Sequence, residues 1–375
     1  MIKVEELAIV NPARRFPEVA IVVPTFNEQD NIVPLLDKIE AALPDVEWEA
    51  VFVDDDSKDR TSDVILQRCR IDPRVRIIKR IGRRGLSSAV VEGILSTSTP
   101  FVAVIDADMQ HDERLLRSML AALRGDEVDL AIGTRYTAEG GLGDWDTRRQ
   151  VISRFATSLA RLVVKSNLSD PMSGFFMIRR EAFEAAMRNL STQGYKILLD
   201  IVASSPRPLR IKEFPYVFRS RQHGESKLDA LVSLEYLLLL LDKMFGRWVP
   251  ARFILFMGIG GLGVFVHMAV LAVLLKTLGM QFMVAQGIAT VMAMTFNFFL
   301  NNVLTYRDKR LKGFWPLVVG LLSFYLVCSI GAVSNVGIAN FMFTHQYSWW
   351  LSGVAGIVVG AVWNYAASSI ITWRR

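Results

Sequence analysis

Short apolar runs alternate with helical stretches over the first two thirds of the chain, and long uncharged runs fill the last third. Val19–Phe26 (VAIVVPTF) is a continuous apolar run of the kind that a strand covered on both faces requires. Glu28–Ala42 follows, with Ile32, Leu35, Leu36 and Ile39 at helical spacing. Ala50–Asp54 and Arg76–Lys79 read as further strands, Gly85–Leu95 as helix, Phe101–Asp106 as strand, Glu113–Leu123 as helix and Leu130–Gly133 as strand. Strands alternating with helices predict an α/β domain, Rossmann-like, whose mostly parallel sheet carries helices on both faces. In such sheets ligands bind beyond the carboxyl ends of the strands.

The last third obeys a different rule. Residues 253–275, 277–306 and 313–373 contain no Asp, Glu, Lys or Arg. About 20 apolar residues span a bilayer core, and the longest run is broken by the polar stretch Thr344–Ser348. Four spans are therefore expected, near 253–275, 282–304, 315–341 and 349–371. Arg247, Arg252, Arg307, Lys309, Arg310, Lys312, Arg374 and Arg375 all fall on one side of that arrangement. The positive-inside rule then puts both termini and the soluble part in the cytoplasm of a multi-pass membrane protein, with no signal peptide expected. Within the spans, His267, Asn297, Asn301, Asn302, Asn335 and Asn364 are expected chiefly to hydrogen-bond between helices, the other reading being a lipid or substrate path.

Composition agrees: 51% of residues are apolar, 21% charged, and mean hydropathy is +0.30. This excludes a disordered chain. The net charge of +6 would suit nucleic acid, but residues 247–375 hold nine Lys/Arg against one acidic residue, Asp308. The basic excess therefore belongs to the membrane third, and no nucleic-acid partner is expected. Cys69 and Cys328 are too far apart in sequence for a CxxC site.

The predicted strand ends carry the chemistry. The first ends in Pro24-Thr25-Phe26-Asn27-Glu28, the second in Asp54-Asp55-Asp56-Ser57 and the fourth in Asp106-Ala107-Asp108-Met109-Gln110. Three acidic strand ends on one edge repel unless a cation or hydrogen-bond donors intervene. The DxD pair with Gln110 suits a hard divalent ion, Mg²⁺ or Mn²⁺, bridging nucleotide phosphates.

PTFNE, VDDDS, DADMQH, GTRY, DPMSGFF and GESKL, in that order over about residues 17–228, resemble the motifs of family 2 glycosyltransferases of the GT-A fold. More narrowly they resemble the polyprenyl-phosphate (dolichyl-phosphate) mannose synthases, and the C-terminal helices resemble the GtrA-like membrane module. The resemblance implies a GT-A catalytic domain over 1–227, an amphipathic interfacial segment over 228–250 and a four-helix transmembrane domain over 251–375. It implies that Pro24, Phe26 and Glu28 line a nucleotide pocket, with Val53 and Asp55 at base and ribose. Asp106, Ala107 and Asp108 would hold nucleotide and metal, Gln110 would complete the metal shell, and Arg135, Arg221 and Lys227 would contact phosphates. Asp108, Arg221 and Lys227 are the expected catalytic residues. The implied reaction moves mannose from GDP-mannose to polyprenyl (dolichyl) phosphate with inversion.

The chain departs from the pattern at Phe26, where Tyr is usual, at Asp56, and in the basic turn Ile81–Leu86. Two stretches, Arg148–Leu168 and Leu228–Phe245, have the look of interfacial helices, and Ala138–Asp146 of a mobile acceptor loop. Competing readings are UDP-glucose as donor, a polysaccharide synthase, and a lipid-linked sugar flippase. The synthase reading lacks its QxxRW, the nearest match being Met244-Phe245-Gly246-Arg247-Trp248.

Overall fold

The computed structural model describes residues 16–135, 168–191, 196–219, 236, 239–244 and 249–374. The chain divides into two compact units, Met1–Met244 and Phe245–Arg375. Arg221, Lys227, the 138–146 loop and nearly all of the 148–168 stretch lie outside the described residues.

The first unit opens with β1 (Val19–Thr25), α1 (Ile32–Ala42), β2 (Trp48–Asp54), α2 (Thr61–Ile71), β3 (Val75–Lys79), α3 (Leu86–Leu95) and β4 (Phe101–Val104). It continues through α4 (Leu115–Arg124), β5 (Leu130–Thr134), β6 (Phe176–Arg179), α5 (Arg180–Met187), α6 (Ile197–Ser204) and β7 (Ile211–Pro215). The strands form one seven-stranded sheet in the order β3-β2-β1-β4-β6-β5-β7. The apolar run at β1 is explained by its position. Val19, Ile21 and Val23 face the layer of α1 and α4, while Ala20 and Val22 face the layer of α3. Gly93 on α3 is required there, because a Cβ would run into Val22 and Val53.

β6 alone runs against its neighbours, antiparallel to both β4 and β5. An antiparallel strand starts at the edge where parallel strands end. The turn Asp170–Gly174 just before β6 is thereby delivered to the same edge as the DxD sequence after β4.

Residues 239–244 are helical, and Tyr236, Leu239 and Leu240 are buried in the core of this unit. Lys243 reaches inward too: its ammonium pairs with buried Asp200 (2.7 Å) and donates to the Asn189 carbonyl and Ser204 Oγ, both at 2.8 Å.

The second unit consists of α7 (Ala251–Lys276), α8 (Phe282–Val303), α9 (Phe314–Thr344) and α10 (Trp349–Ala367), the last extended by a π-turn at Ser368–Thr372. All four helices are long and apolar enough to cross a membrane, and they coincide with the expected spans. Large apolar side chains such as Phe265, Val333 and Ile370 point outward, as a lipid-facing surface requires. Several polar residues in the spans are hydrogen-bonded within the unit. Asn302 accepts from the Leu311 N–H (2.9 Å) and Trp373 Nε1 (3.0 Å) and donates to the Leu311 carbonyl (3.2 Å). Asn301 accepts from Thr305 and donates to the Asn297 carbonyl, and His267 meets Gln286 at 3.3 Å.

Candidate active site

Register places the acidic strand ends side by side. Thr25 pairs with Asp54 across β1 and β2, and Val22 pairs with Val104 across β1 and β4. Pro24 and Asp106, two residues further along each strand, therefore sit at the same level of the sheet. The turns there are strained: Asn27, Asp56 and Met109 all have positive φ, at 56°, 60° and 64°. Asn and Asp tolerate this region, but a buried Met does not adopt it freely, and such backbone persists where its surroundings impose it.

The β2 end is saturated with donors. Asp54 is fully buried and accepts from the hydroxyls of Ser57 and Ser62. Asp55 accepts from Arg80, itself buried, and from the Gly85 N–H at 2.7 Å. These carboxylates brace the start of α2 and the basic turn before α3. Val53 is buried in the core, so any contact it offers a ligand runs through its backbone. Nearby, the Arg84 guanidinium stacks over the Phe26 ring at 4.1 Å. Glu28 is tied into the same edge, its N–H donating to Thr61 Oγ1 (2.8 Å) and its carboxylate accepting from Asn31 (2.7 Å).

The β4 end is arranged differently. Asp106 is held from one side, where His111 Nε2 lies 3.2 Å from Oδ2. On the other face of that ring, Nδ1 is 2.7 Å from the Tyr216 hydroxyl. Burial pushes that hydroxyl well above the usual phenol range, so it stays protonated. A carboxylate oxygen can only accept, so Nε2 carries a ring proton and donates to Asp106, while Nδ1 shares a hydrogen bond with the phenol. Phe175 and Phe218 pack around the imidazole with centroids at 5.3 and 5.6 Å. Gly174 has no Cβ because one would collide with the Asp106 carboxylate. Gln110 donates its side-chain N–H to the Arg219 carbonyl at 3.0 Å, which turns its amide oxygen the opposite way. Its backbone N–H donates to Asp108 Oδ1 at 3.2 Å. Arg219 is clamped in turn by Asp112 (3.1 Å) and Glu113 (2.9 Å).

Positive charge gathers beside these carboxylates. Arg135 makes a two-bond fork with Asp170, at 2.7 and 3.0 Å, and Asp170 is fully buried. Lys196 lies within electrostatic reach of Arg135, Asp170 and Asp106. Burial and the Arg135 charge push its ammonium down to about 8, against the pull of the two carboxylates.

Of the residues singled out from sequence, Asp106, Ala107, Asp108, Gln110 and Arg135 line one end of the edge and Pro24, Phe26, Glu28 and Asp55 the other. His111, Asp170, Lys196 and Tyr216 were missed. His111 and Asp170 lie inside recognisable motifs, whereas Lys196 and Tyr216 carry no local signal.

The donor set suits a hard divalent ion: carboxylates and an amide oxygen, with a cradle at Gly174 that a side chain would fill. Among the described residues no three His, Cys, Asp or Glu side chains close around one point. An ion here would thus complete its shell with Gln110, water and a ligand's oxygens rather than protein carboxylates alone.

Comparison with known proteins agrees with this architecture. Residues 20–186 match the Glycosyl transferase family 2 profile, and residues 255–373 match the GtrA/DPMS transmembrane domain. A dolichol-phosphate mannosyltransferase of Pyrococcus furiosus is 31% identical over 95% of this chain and 99% of its own length. One from Mycosarcoma maydis is 37% identical over 64% of this chain and 84% of its own. Among solved structures, glucosyl-3-phosphoglycerate synthase of Mycobacterium tuberculosis with UDP superposes with a TM-score of 0.44 at 21% identity, over 60% of this chain and 80% of that one. With both units and nearly the full length of a relative accounted for, the chain belongs to the dolichol-phosphate mannosyltransferase family of family 2 glycosyltransferases, in the form that carries a GtrA/DPMS membrane domain.

Proposed function

We propose that the protein transfers mannose from GDP-mannose to a polyprenyl (dolichyl) monophosphate at the cytoplasmic face of a membrane, with inversion at C1. The observation that carries this reading is the β4 end. There a carboxylate held by His111 and a glycine cradle faces the Arg135–Asp170 and Lys196 charges.

Pro24, Phe26, Glu28, Val53 and Asp55 would seat the nucleotide; Asp106, Asp108 and Gln110 would hold Mg²⁺ or Mn²⁺ against its diphosphate. When bound, the ion neutralises charge developing on the departing diphosphate. Arg135 and Lys196, with Arg221 and Lys227 from the basic closing motif, hold the phosphates of donor and acceptor in line. A lipid monophosphate is already anionic near neutral pH and attacks C1 from the face opposite the leaving group. No general base is required, so the chain's contribution is positioning and electrostatics.

The test is transfer of labelled sugar from GDP-mannose, in parallel with UDP-glucose, into an organic-extractable polyprenyl phosphate product, with and without Mg²⁺ or Mn²⁺. Metal-dependent mannolipid from GDP-mannose alone is the expected result. Glucolipid would change the donor and keep the mechanism. Absence of lipid product from both donors would overturn the proposal.

A further inference from the structure

Two stretches of the membrane unit repeat one pattern. Residues 296–307 read FNFFLNNVLTYR and residues 363–374 read WNYAASSIITWR. Asn297 and Asn364, Thr305 and Thr372, and Arg307 and Arg374 are identical pairs at one constant offset. Aromatic, small polar and branched apolar residues correspond between them. Each stretch closes the second helix of a hairpin, α7–α8 in one case and α9–α10 in the other. Each repeated Asn packs on a glycine of the first helix of its own hairpin: a Cβ at Gly263 would run into Asn297, and one at Gly331 into Asn364.

The contacts between the hairpins are reciprocal. Tyr306 and Trp373 are equivalent residues and stack on each other, 4.1 Å between centroids and 8° between planes. Phe298 of the first copy stacks on Trp373 of the second at 5.6 Å. In return Tyr306 of the first donates to the carbonyl of Tyr365, the equivalent of Phe298, at 3.4 Å. Residue i of one copy meeting j of the other, in both directions, is the signature of a two-fold axis. Both hairpins run in the same direction, so this pseudo-axis lies along the membrane normal and passes through the Tyr306–Trp373 stack.

Each stacked ring is followed by an arginine, Arg307 in one copy and Arg374 in the other. Arg252 joins them from the start of α7: it adjoins Phe253, whose ring meets that of Tyr365 at 5.2 Å. The start of α7 and the ends of α8 and α10 share one side of the membrane. Positive-inside sorting explains why basic residues occupy that side. It does not explain why an arginine recurs at the same place on either side of a pseudo-axis. Arginines at bilayer-surface depth suit a phosphate, whose oxygens accept bidentate hydrogen bonds.

We propose that this end of the pseudo-axis is a binding site for the phosphate of a membrane lipid, gripped by Arg307 and Arg374 with Arg252 at its edge. The site holds acceptor lipid within the same chain as the catalytic unit. That assignment of the lipid rests on the proposed transfer reaction.

The experiment measures binding of a long-chain polyprenyl monophosphate to the full-length protein in phosphatidylcholine nanodiscs, without donor. Saturable binding is expected, with the neutral polyprenol binding far more weakly. R307Q/R374Q should weaken it about tenfold or more, R307K/R374K should recover part of it, and K309Q/K312Q, which removes the same charge from the neighbouring loop, should leave it intact. GDP binding checks that each variant retains a folded catalytic unit, and a monodisperse elution profile checks the membrane unit. Phosphatidylglycerol that competes equally would support the site and assign it to bulk lipid phosphate; failure to compete would assign it to the acceptor. Equal losses from the Arg→Gln and Lys→Gln pairs, or polyprenol binding as tightly as its phosphate, would overturn the site. If R307Q/R374Q binds as well as the parent while sugar transfer continues, this site is wrong and the reaction stands. If phosphate lipid binds as expected and no sugar is transferred, the reaction is wrong.

Discussion

Two acidic strand ends lie on one sheet edge and have opposite fates. After β2, Asp54 and Asp55 are consumed by the protein: two serine hydroxyls, an arginine and a backbone N–H take their oxygens. After β4, Asp106 meets one imidazole among the described residues, and Gly174 leaves room for its carboxylate. Both runs carry closely spaced aspartates, DDDS and DADMQ. What differs among the described residues is the supply of donors: the β2 carboxylates brace the fold, and the proposed function gives the β4 end to a ligand. Burying an ionised carboxylate is tolerable only where donors or a cation compensate it.

That contrast is open to direct attack by mutation. Asp108→Ala should lower sugar transfer per folded molecule by roughly 10³-fold, about 4 kcal/mol of transition-state stabilisation, with thermal unfolding measured alongside. A loss of transfer accompanied by an equal loss of folded protein would show Asp108 to be a bracing residue like Asp54. Asp55→Asn should behave in the opposite way. It leaves buried Arg80 with Glu92, 3.4 Å away, as its carboxylate partner, at a cost of about 2 kcal/mol in stability, measured by denaturant unfolding of the catalytic unit in the full chain. Stability equal to the parent's would mean that the β2 end is not the brace described.

How much of this could be read beforehand follows from what each element buries. β1 was legible because both of its faces are covered, so the apolar run is uninterrupted. The membrane helices were legible because lipid excludes charge from the interior of each span. α2 left no stripe: only Thr61, Ser62 and Ile65 are buried, and two of those are polar. β6 spans four residues, Phe176–Arg179, and nothing in so short a run signals that it will pair antiparallel. At the site, Asp106, Asp108 and Gln110 declare themselves by spacing along one loop. Tyr216 and Lys196 reach the site from β7's far end and the start of α6, so only the folded chain brings them there.

His111 tests the middle of the comparison, where the protein supports the carboxylate that the proposed function gives to a ligand. His111→Ala should raise the Mn²⁺ concentration needed for GDP binding by about 10- to 100-fold, the usual cost of removing a group that orients a metal-binding carboxylate. Tyr216→Phe should show a smaller shift in the same direction, since it removes only the hydroxyl on Nδ1. The readout is Mn²⁺ binding followed by electron paramagnetic resonance, with and without GDP. An unaltered Mn²⁺ requirement in both variants, with reduced stability, would reduce the relay to packing.

The smallest expected effect concerns a carboxylate away from the edge. Asp129, just before β5, is buried and accepts from Arg207 at 3.1 Å and from Arg210 at 2.8 and 3.0 Å. These guanidinium groups hold its carboxyl well below the usual range. A depressed folded-state value means that the unfolded chain takes up the proton first on acidification. The stabilisation is therefore complete above about pH 4, the unfolded value, and is lost as pH falls further. Both arginines are substantially exposed, so solvent screening limits the contribution to about 1 kcal/mol. Asp129→Asn should remove that part of the acid sensitivity below about pH 4, read as a flatter dependence of urea unfolding on pH. An acid dependence identical to the parent's would mean that the arginines neutralise Asp129 without stabilising the fold. The carboxylates of this unit would then divide by donor supply only at the sheet edge.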